Sequence, residues 1–510
     1  MIIQGHELAA HTELACDVVI IGSGCGGATL ALKLTELGHD VVVLEQGGYY
    51  TREDFDQREA HMLAKIDGGR GLDTSADGSV SLTYGNNVGG ASVHYWADSY
   101  RTPPDRLARW ADDYGLQGHD LAALTPHFER IERDLNVHEA DDSYVNAMNA
   151  KLATAAKGLG WDVKKVPQAR RGCARSGHCM QGCAYDAKQS QLVTHIARAD
   201  ALGARIVSDV RAEQLVWSGR RVTGLRASVL DRGTQQPRGT LTVSARQVVV
   251  AAGGFGTPTF LLRQGLKERL PHLGEHFFCN PCPMVHALYD EPIVQWRNIP
   301  AAWGVEEFRL ARFDGDRYRE GGYLLMPNQL QPAMLAAVLP GAGPEHRRLM
   351  AKMALLGGTI AWIDDAEEGS IRLEGGVRKV EVPLDGLNGQ IIRDAWRKQC
   401  EVLFATGAEE LLFGDAADTR ITRPDQIEAA VASIDLQPGR NVFAAPHPGG
   451  GARMGRGPHD SVVGFDHRVH GTDNLFVADP SVFPTAPSVD PSLTIMAFSY
   501  VAAEAVHGAL

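Results

Sequence analysis

Apolar residues near the start of the chain switch between the pattern of buried strands and that of a helix. A β-branched run at residues 18–21 is typical of a buried parallel strand, and a second apolar run follows at residues 41–44. Between them, Leu30, Leu34 and Leu37 keep a helical spacing, and Gly38 is placed to end the helix. The pattern predicts a strand, a helix and a second strand in succession.

The first predicted strand leads directly into a glycine-rich loop, Gly-Ser-Gly-Cys-Gly-Gly, at residues 22–27. In a dinucleotide-binding loop, Gly22 would permit the turn, Gly24 would let the backbone approach a pyrophosphate, and Gly27 would let helix and strand pack closely. Glu45 lies 18 residues beyond Gly27, close to where an acid binds the ribose hydroxyls. The loop predicts a dinucleotide cofactor, but alone it does not choose between FAD and NAD.

Composition narrows the class of protein. With 510 residues, 56 of them Gly, and 44% hydrophobic content, the chain is long enough for two interwoven domains with sizeable cores. The formal net charge of -12 argues against nucleic acid as a partner. No apolar stretch reaches the length of a transmembrane helix, and residues 1–17 lack the pattern of a secretory signal, so we expect a cytoplasmic protein.

Four further segments carry motifs. A second glycine-rich stretch occupies residues 85–92 and includes Gly89, Gly90 and Ser92. A predicted strand at residues 247–252 runs into a third such stretch at 253–258. The last two motifs are His-Pro-Gly-Gly-Gly-Ala-Arg-Met-Gly at residues 447–455 and the segment 474–485. The glycine-rich stretches place bare backbone where a flat cofactor would lie.

Taken in order, these motifs resemble the glucose-methanol-choline (GMC) oxidoreductases, FAD enzymes that oxidise alcohols. The likeness covers nearly the whole chain, although residues from about 290 to 435 carry little that is diagnostic. It implies an α/β fold with a Rossmann-like FAD-binding domain built from discontinuous segments, and a substrate domain with an antiparallel sheet. We place the FAD-binding domain at residues 1–110, 186–290 and 436–510, a connecting region at 111–185, and the substrate domain at 291–435.

The resemblance also assigns residues to the cofactor. It implies that Asp479 lies near the flavin ribityl chain and that Gly89 and Gly90 allow close approach to the isoalloxazine. The other residues that it places at the cofactor are Ser92, Val210, Ala252 and Pro491. His94 leaves two alternatives open, because some similar oxidases attach FAD covalently through a His at this spacing and some dehydrogenases do not.

His447 is the candidate catalytic base, because oxidation of an alcohol requires removal of the hydroxyl proton and imidazole suits a base near neutral pH. Asp490 departs from the family pattern, which usually has Asn or His at the matching position. An ionised Asp490 would stabilise an imidazolium, whereas a protonated one would donate a hydrogen bond to the substrate oxygen. The third alternative is that Asp490 only caps a helix starting at Pro491.

Three cysteines, Cys173, Cys179 and Cys183, are spaced as C-x5-C-x3-C. Thiolates in a Gly-containing loop can bind iron. The spacing is similar to that of bacterial sugar and polyol dehydrogenases of the family, where it holds a three-iron cluster. His178 or Asp186 would be a fourth ligand for another metal, and a purely structural turn remains an alternative.

The electron acceptor depends on that loop. A cluster would imply a dehydrogenase that passes electrons to a cytochrome or another acceptor protein, whereas its absence would leave oxygen open. The family's similar dehydrogenases are exported with a small partner subunit, so a periplasmic location is an alternative to the cytoplasmic one.

The middle of the chain is rich in Met and Trp, including Trp296, Trp303, Met326, Met334 and Trp362. Flexible Met beside aromatic rings favours an apolar primary or secondary alcohol slightly over a sugar or polyol, although many of these residues are expected to be ordinary core. Remaining alternatives are an oxygen-using alcohol oxidase, a non-redox flavoprotein lyase and an FAD-holding assembly subunit.

Overall fold

A computed structural model describes all 510 residues of the chain. The strands are β1 Ile2–Gln4, β2 His11–Ile21, β3 Val41–Leu44, β4 Val80–Leu82, β5 Val137–Glu139, β6 Val163–Lys165, β7 Pro167–Ala169, β8 Arg205–Ser208, β9 Val210–Ser218, β10 Arg221–Leu230, β11 Pro237–Val250, β12 Met284–Leu288, β13 Trp303–Val305, β14 Arg312–Asp314, β15 Arg317–Glu320, β16 Tyr323–Pro327, β17 Leu356–Ile363, β18 Ser370–Glu374, β19 Val377–Glu381, β20 Glu410–Phe413, β21 Arg420–Ile421, β22 Phe443–Ala445 and β23 Leu475–Val477. The α-helices are α1 Cys25–Glu36, α2 Glu59–Ile66, α3 Pro104–Tyr114, α4 Leu121–Asp134, α5 Ala147–Gly158, α6 Ala197–Ala201, α7 Gly253–Arg263, α8 Pro332–Val338, α9 Gly343–Ala351, α10 Gly386–Ala405, α11 Ile427–Ser433 and α12 Ser492–Gly508.

The first sheet has eight strands in the order β1-β8-β3-β2-β11-β10-β9, and β23 also pairs with β11. The pairs β1/β8, β8/β3, β3/β2, β2/β11 and β11/β23 are parallel, whereas β9, β10 and the first half of β11 form an antiparallel extension. Helices α1 and α12 pack together beside this sheet. The apolar runs predicted as strands are its buried centre, since every side chain of β3 is buried. The predicted strand, helix and strand are therefore confirmed.

The second sheet has seven strands in the order β21-β20-β12-β17-β16-β13-β6, and all its pairs are antiparallel. One face packs against the long helix α10, through residues such as Val285 and Leu325. The other face, which includes Met284, Met326 and Trp362, packs against α8 and α9. The predicted fold class, a parallel FAD-binding sheet with an antiparallel second sheet, is confirmed.

Two strands lie on the other side of the boundaries expected from sequence. Strand β12 is central in the second sheet, although the boundary at residue 290 assigns it to the FAD-binding domain. Strand β6 forms the edge of the same sheet, although residues 111–185 were expected only to connect domains. The cause is that antiparallel partners distant in sequence leave no local signal of their pairing.

No helix in the structure combines the length and the apolar character needed to cross a membrane.

Candidate active site

The glycine-rich loop at residues 22–27 forms the turn between β2 and α1. Gly22 has a φ of +100°, and a Cβ there would stand 2.3 Å from the carbonyl oxygen of Ala251. A Cβ on Gly27 would stand 2.0 Å from the carbonyl oxygen of Gly22. The turn and the close approach of helix and strand therefore both require glycine. These contacts account for two of the three glycines of the motif.

Gly24 and the second glycine-rich stretch meet in space. A Cβ on Gly24 would have only the Cα of Gly90 within 4 Å, at 3.9 Å, so this side of the loop is open. Gly90 has a φ of +57°, and its Cβ would stand 2.7 Å from the Cα of Gly24. The two segments, distant in the chain, thus form one cradle of bare backbone at the N-terminus of α1, where backbone N–H groups attract an anion.

Glu45 is buried beside this loop. Its Oε2 accepts hydrogen bonds from the N and Oγ of Ser23 at 3.1 and 2.7 Å, and its Oε1 accepts one from the N of Gly47 at 2.9 Å. Burial raises the pKa of Glu45, although these three donors oppose the rise. The N of Val210 donates to the carbonyl oxygen of Glu45 at 2.8 Å, which places Val210 beside the predicted ribose-binding acid.

Asp479 follows β23 and joins two segments near the phosphate loop. Its Oδ2 accepts hydrogen bonds from the N of Gly253 at 2.9 Å and from Thr257 Oγ1, and its Oδ1 accepts one from the N of Ser481 at 2.9 Å. Ala252 is exposed and caps the start of α7. The C-terminal motif therefore lies against the N-terminal one, as a composite cofactor site requires.

The second glycine-rich stretch continues into His94. Ser92 holds the turn, because its Oγ donates to the carbonyl oxygen of Gly89 at 2.6 Å and accepts from the N of Gln191 at 2.9 Å. His94 is buried, and neither of its ring nitrogens has a hydrogen-bond partner. Burial lowers the pKa of His94 to about 3, so its imidazole is neutral at pH 7. A buried ring with two unpartnered nitrogens has hydrogen-bonding capacity left for a bound group.

His447 and Asp490 come together from separate loops. The Nε2 of His447 lies 3.0 Å from Oδ1 of Asp490, and their side chains are 13% and 10% exposed. Each keeps one buried polar atom without a partner, Nδ1 of His447 and Oδ2 of Asp490. Two paired groups with unused hydrogen-bonding capacity match a site that awaits a polar ligand.

The helix-cap alternative for Asp490 is wrong. Helix α12 starts at Ser492, its N-cap is Pro491, and no side chain caps it. Asp490 lies two positions before the helix and makes no capping hydrogen bond. Its carboxylate faces His447 instead. The structure therefore brings Asp490 to the candidate base.

Two neighbours of this pair carry no sequence motif. The ring of Trp362, at the end of β17, lies 5.2 Å from the imidazole of His447, measured between ring centroids. The second neighbour, Asp98, is buried and accepts a hydrogen bond from Gln168 Nε2 at 2.7 Å. Burial, and then the charge of Asp490, raise the pKa of Asp98 well above its usual value. In the sequence, nothing marks Asp98 as a site residue except its position four residues beyond His94.

The prediction that Cys173, Cys179 and Cys183 hold a metal is not supported by their arrangement. No group of three His, Cys, Asp or Glu side chains in the structure is placed to bind a metal ion. Instead, Nη1 of the buried Arg170 lies 3.4 Å from Sγ of Cys179 and 4.0 Å from Sγ of Cys173. A buried guanidinium therefore lies against two of the three thiols.

The loop is tied instead to the second glycine-rich stretch. Nζ of the buried Lys188 donates hydrogen bonds to the carbonyl oxygens of Val93, Tyr95 and Cys179 at 2.6, 3.0 and 2.6 Å. This agrees with the structural turn that the sequence left open. Neither His178 nor Asp186 completes a metal site.

The cradle fits a flavin dinucleotide. Bare glycine backbone, a helix N-terminus and the buried Glu45 suit the pyrophosphate and ribose, while His94 has unused ring nitrogens. With Trp362 of the antiparallel sheet against the His447–Asp490 pair, these features are those of the FAD-dependent oxidoreductases that act on CH–OH groups.

Comparison with known proteins gives the family. The model described as GMC oxidoreductase matches residues 17–282 with its N-terminal part and residues 369–499 with its C-terminal part. The chain belongs to the GMC oxidoreductases, and the resemblance drawn from its motifs is confirmed.

Individual relatives extend this finding. Over 496 residues the chain is 32% identical to an uncharacterised GMC-type oxidoreductase of Mycobacterium tuberculosis, covering 96% of this chain and 75% of that protein. It is 25% identical to the long-chain-alcohol oxidase FAO3 of Arabidopsis thaliana, covering 98% of this chain and 69% of that one. The crystal structure of pyridoxine 4-oxidase from Mesorbium loti has the same fold, with a TM-score of 0.72, 18% identity and coverage of 97% and 99%.

Proposed function

We propose that the protein oxidises a primary or secondary hydroxyl of an apolar alcohol, with His447 as the base. The observation that carries this proposal is the pair formed by His447 and Asp490, 3.0 Å apart and largely buried, with one unpartnered polar atom on each. A substrate hydroxyl would donate its hydrogen bond to Nδ1 of His447, the ring nitrogen that does not face Asp490. The FAD assignment rests on the family and on the glycine cradle described above.

Bound FAD supplies the acceptor for the hydride that leaves the carbinol carbon. The chain's own task is to take the hydroxyl proton, which goes to the imidazole of His447. Because Oδ1 of Asp490 faces Nε2, an ionised carboxylate stabilises the charged ring that results. Trp362 covers the imidazole and excludes water from that side.

An apolar substrate is supported by the surroundings of the dyad. Trp362 and Val489 belong to a continuous cluster of buried residues that also contains Trp96, Met284 and Met326. Met334, Met350 and Met353 on and near α8 and α9 are only partly buried against this cluster. Flexible Met side chains at its margin suit a ligand of variable apolar shape. The relative named a long-chain-alcohol oxidase agrees with this substrate class.

The same name makes oxygen the first acceptor to test. Transfer of electrons through an iron–sulfur cluster to a cytochrome or another acceptor protein is a separate hypothesis. The arrangement of the cysteines does not support it, because no three potential metal ligands lie together. Iron and acid-labile sulfide, measured on anaerobically purified protein, decide it. About three irons per flavin would establish a cluster of the three-iron type.

The substrate experiment mixes purified enzyme with alcohols in the absence of oxygen and follows the loss of flavin absorbance. The panel pairs 1-octanol and cyclohexanol with glycerol and sorbitol. We expect reduction by the apolar alcohols with a kcat/KM at least about tenfold higher than with the polyols. Faster reduction by sorbitol would favour a polyol dehydrogenase. No reduction by any alcohol would overturn the proposal.

A further inference from the structure

Strand β17 ends beside the catalytic pair: Trp362 near its end contacts His447, and the two residues that follow the strand bind the segments that carry or support the pair. Trp362 lies against the imidazole of His447. The next contacts come from two consecutive carboxylates, Asp364 and Asp365, which lie immediately beyond the strand. Each of them binds a different loop.

Asp364 binds the loop that carries Asp490. Its Oδ2 accepts a hydrogen bond from Ser488 Oγ at 2.8 Å and forms an ion pair with Nη2 of Arg106 on α3. The side chain of Arg106 is only 5% exposed, so this pair lies in a poorly solvated environment. Arg106 donates two further hydrogen bonds, one from Nη2 to Ser488 Oγ and one from Nη1 to Thr485 Oγ1 at 3.2 Å. The start and the end of the segment 485–488 are therefore held by one ion pair.

The segment needs this support. Ser488 has a φ of +64°, a left-handed conformation that non-glycine residues adopt at a cost. Asp490 follows two positions later, so the conformation of Ser488 sets the direction in which the chain approaches His447. Trp110 Nε1 also donates to Thr485 Oγ1, at 2.8 Å. These contacts fix a conformation that the local sequence does not favour.

Asp365 binds the segment that supports His447. Its Oδ1 and Oδ2 accept hydrogen bonds from the backbone N–H groups of Cys279 and Asn280 at 3.2 and 2.8 Å. The carbonyl oxygen of Cys279 in turn lies 3.4 Å from the N of His447 and accepts its hydrogen bond. The preceding residue, Phe278, exchanges two backbone hydrogen bonds with Gly449, at 3.1 and 3.0 Å. Asp365 therefore holds the strip of backbone against which the His447 loop lies.

We propose that Asp364 and Asp365 are positioning residues that set the distance between His447 and Asp490, with Arg106 as the counter-ion that holds Asp364. Neither carboxylate contacts the pair itself; each acts through the loop that it binds. The inference deepens the proposed function and rests on it, because it assumes that the His447–Asp490 pair performs the chemistry. A misplacement of either side chain by about 1 Å is enough to cost on the order of 100-fold in rate.

The test compares Asp364→Asn with a matched control, Asp394→Asn. Asp394 is a buried carboxylate on α10, and it accepts hydrogen bonds from the N of Gly321 and the hydroxyl of Tyr323, both at 2.9 Å, and none from the segments that Asp364 and Asp365 bind. Both variants lose a buried hydrogen-bonded carboxylate, so both are expected to lower the Tm. Only Asp364→Asn should slow the reduction of the flavin by alcohol. The rate of anaerobic flavin reduction is measured per bound flavin over a series of alcohol concentrations, which gives the maximal rate and the half-saturating concentration.

We expect Asp364→Asn to reduce the maximal rate about 10- to 100-fold, with a much smaller change in the half-saturating alcohol concentration, since the His447–Asp490 pair and not substrate binding is disturbed. Asp394→Asn should stay within about twofold of the wild type, because Asp394 binds neither of the segments that position the pair. In the double variant Asp364→Asn with Asp490→Asn, the two losses should not multiply, because Asp364 acts through Asp490. Multiplicative losses, or a wild-type rate in Asp364→Asn, would overturn the inference.

Ser488→Ala gives the same test if Asp364→Asn does not fold. It removes the hydrogen bond that Ser488 Oγ donates to Asp364 and the one that it accepts from Nη2 of Arg106, but it leaves the ion pair of Arg106 with Asp364 intact, so each buried charge keeps its counter-ion. A loss of about three- to tenfold in the reduction rate is expected. A rate equal to that of the wild type contradicts the inference. His447→Ala separates the two levels: if that variant still turns over, the proposed function fails first, and if it is inactive while Ser488→Ala is normal, only the positioning role fails.

Discussion

The cofactor cradle and the catalytic pair are built in opposite ways. The cradle consists mainly of backbone, with Gly24 and Gly90 almost touching and Glu45 satisfied by three hydrogen bonds. The pair consists of side chains, each with an unpartnered atom. The segments around the pair are held by two carboxylates at the end of β17, a strand distant in sequence. The first site is therefore sensitive to added atoms, whereas the second is sensitive to changes in the chemistry of a side chain.

The largest effect is expected from His447→Ala. If His447 is the base, the rate of flavin reduction by alcohol should fall by about 10²- to 10⁴-fold, the usual contribution of general-base catalysis. The flavin content should stay unchanged, because the cradle is untouched. Stopped-flow reduction and the flavin-to-protein absorbance ratio measure the two quantities. His138→Ala, at an exposed position, serves as the control; full turnover in His447→Ala would remove the assigned base.

Gly90→Ala tests the cradle. The new Cβ would stand 2.7 Å from the Cα of Gly24, and the positive φ adds strain. We expect protein that purifies with most of its flavin missing. Gly78→Ala is the matched control, because Gly78 has a φ of +77° and no atom within 4 Å of the added Cβ. It should lose only about 1–2 kcal/mol of stability and retain its flavin; equal flavin loss in both variants would point to instability instead of a blocked cradle.

Asp490→Asn tests the catalytic pair, because it removes the negative charge of the side chain while nearly keeping the shape of that side chain. Without the carboxylate, the imidazolium that forms on His447 has no negative partner at Nε2. We expect a loss on the order of tenfold in kcat, measured by steady-state turnover of a saturating apolar alcohol. A kcat equal to that of the wild type would mean that the charge of Asp490 does not assist the base.

The smallest effect concerns stability. Burial raises the pKa of Asp365 to about 7, although two backbone donors oppose the rise. The unfolded chain releases this proton near pH 4, at the usual Asp pKa of about 3.9, whereas the folded protein keeps it until about pH 7. Asp365 thus lowers the unfolding free energy as pH rises between these values. Urea titrations at several pH values should find this component in the wild type and not in Asp365→Asn; parallel curves would contradict it.

The sequence predicts those parts of the molecule that depend on interactions between residues close together in the chain. The turn at Gly22, the helix after it and the position of Glu45 depend on residues close together in the chain, so their spacing predicts them. The pairing of His447 with Asp490 was one of three alternatives, and only the packing of two distant loops decides among them.

The remaining differences between the structure and the sequence-based expectations share a cause. Strand β12 joins the second sheet through partner strands that are remote in sequence, and its own residues do not indicate which strands these are. Spacing alone suggested ligands at Cys173, Cys179 and Cys183, but Arg170 lies against two of these thiols. Asp98, Asp364 and Asp365 carry no motif, because their importance comes from what the fold brings beside them.

The Arg106–Asp364 ion pair has a consequence for folding. Its two residues are 258 positions apart, and they join a helix beside the first sheet to the end of a strand of the second. Contacts between such distant residues carry a large loop-closure entropy and form late. The glycine loop can take shape from its own neighbours, but the catalytic pair reaches its geometry only after both sheets have docked. Recovery of alcohol oxidation during refolding should therefore lag behind recovery of the parallel sheet.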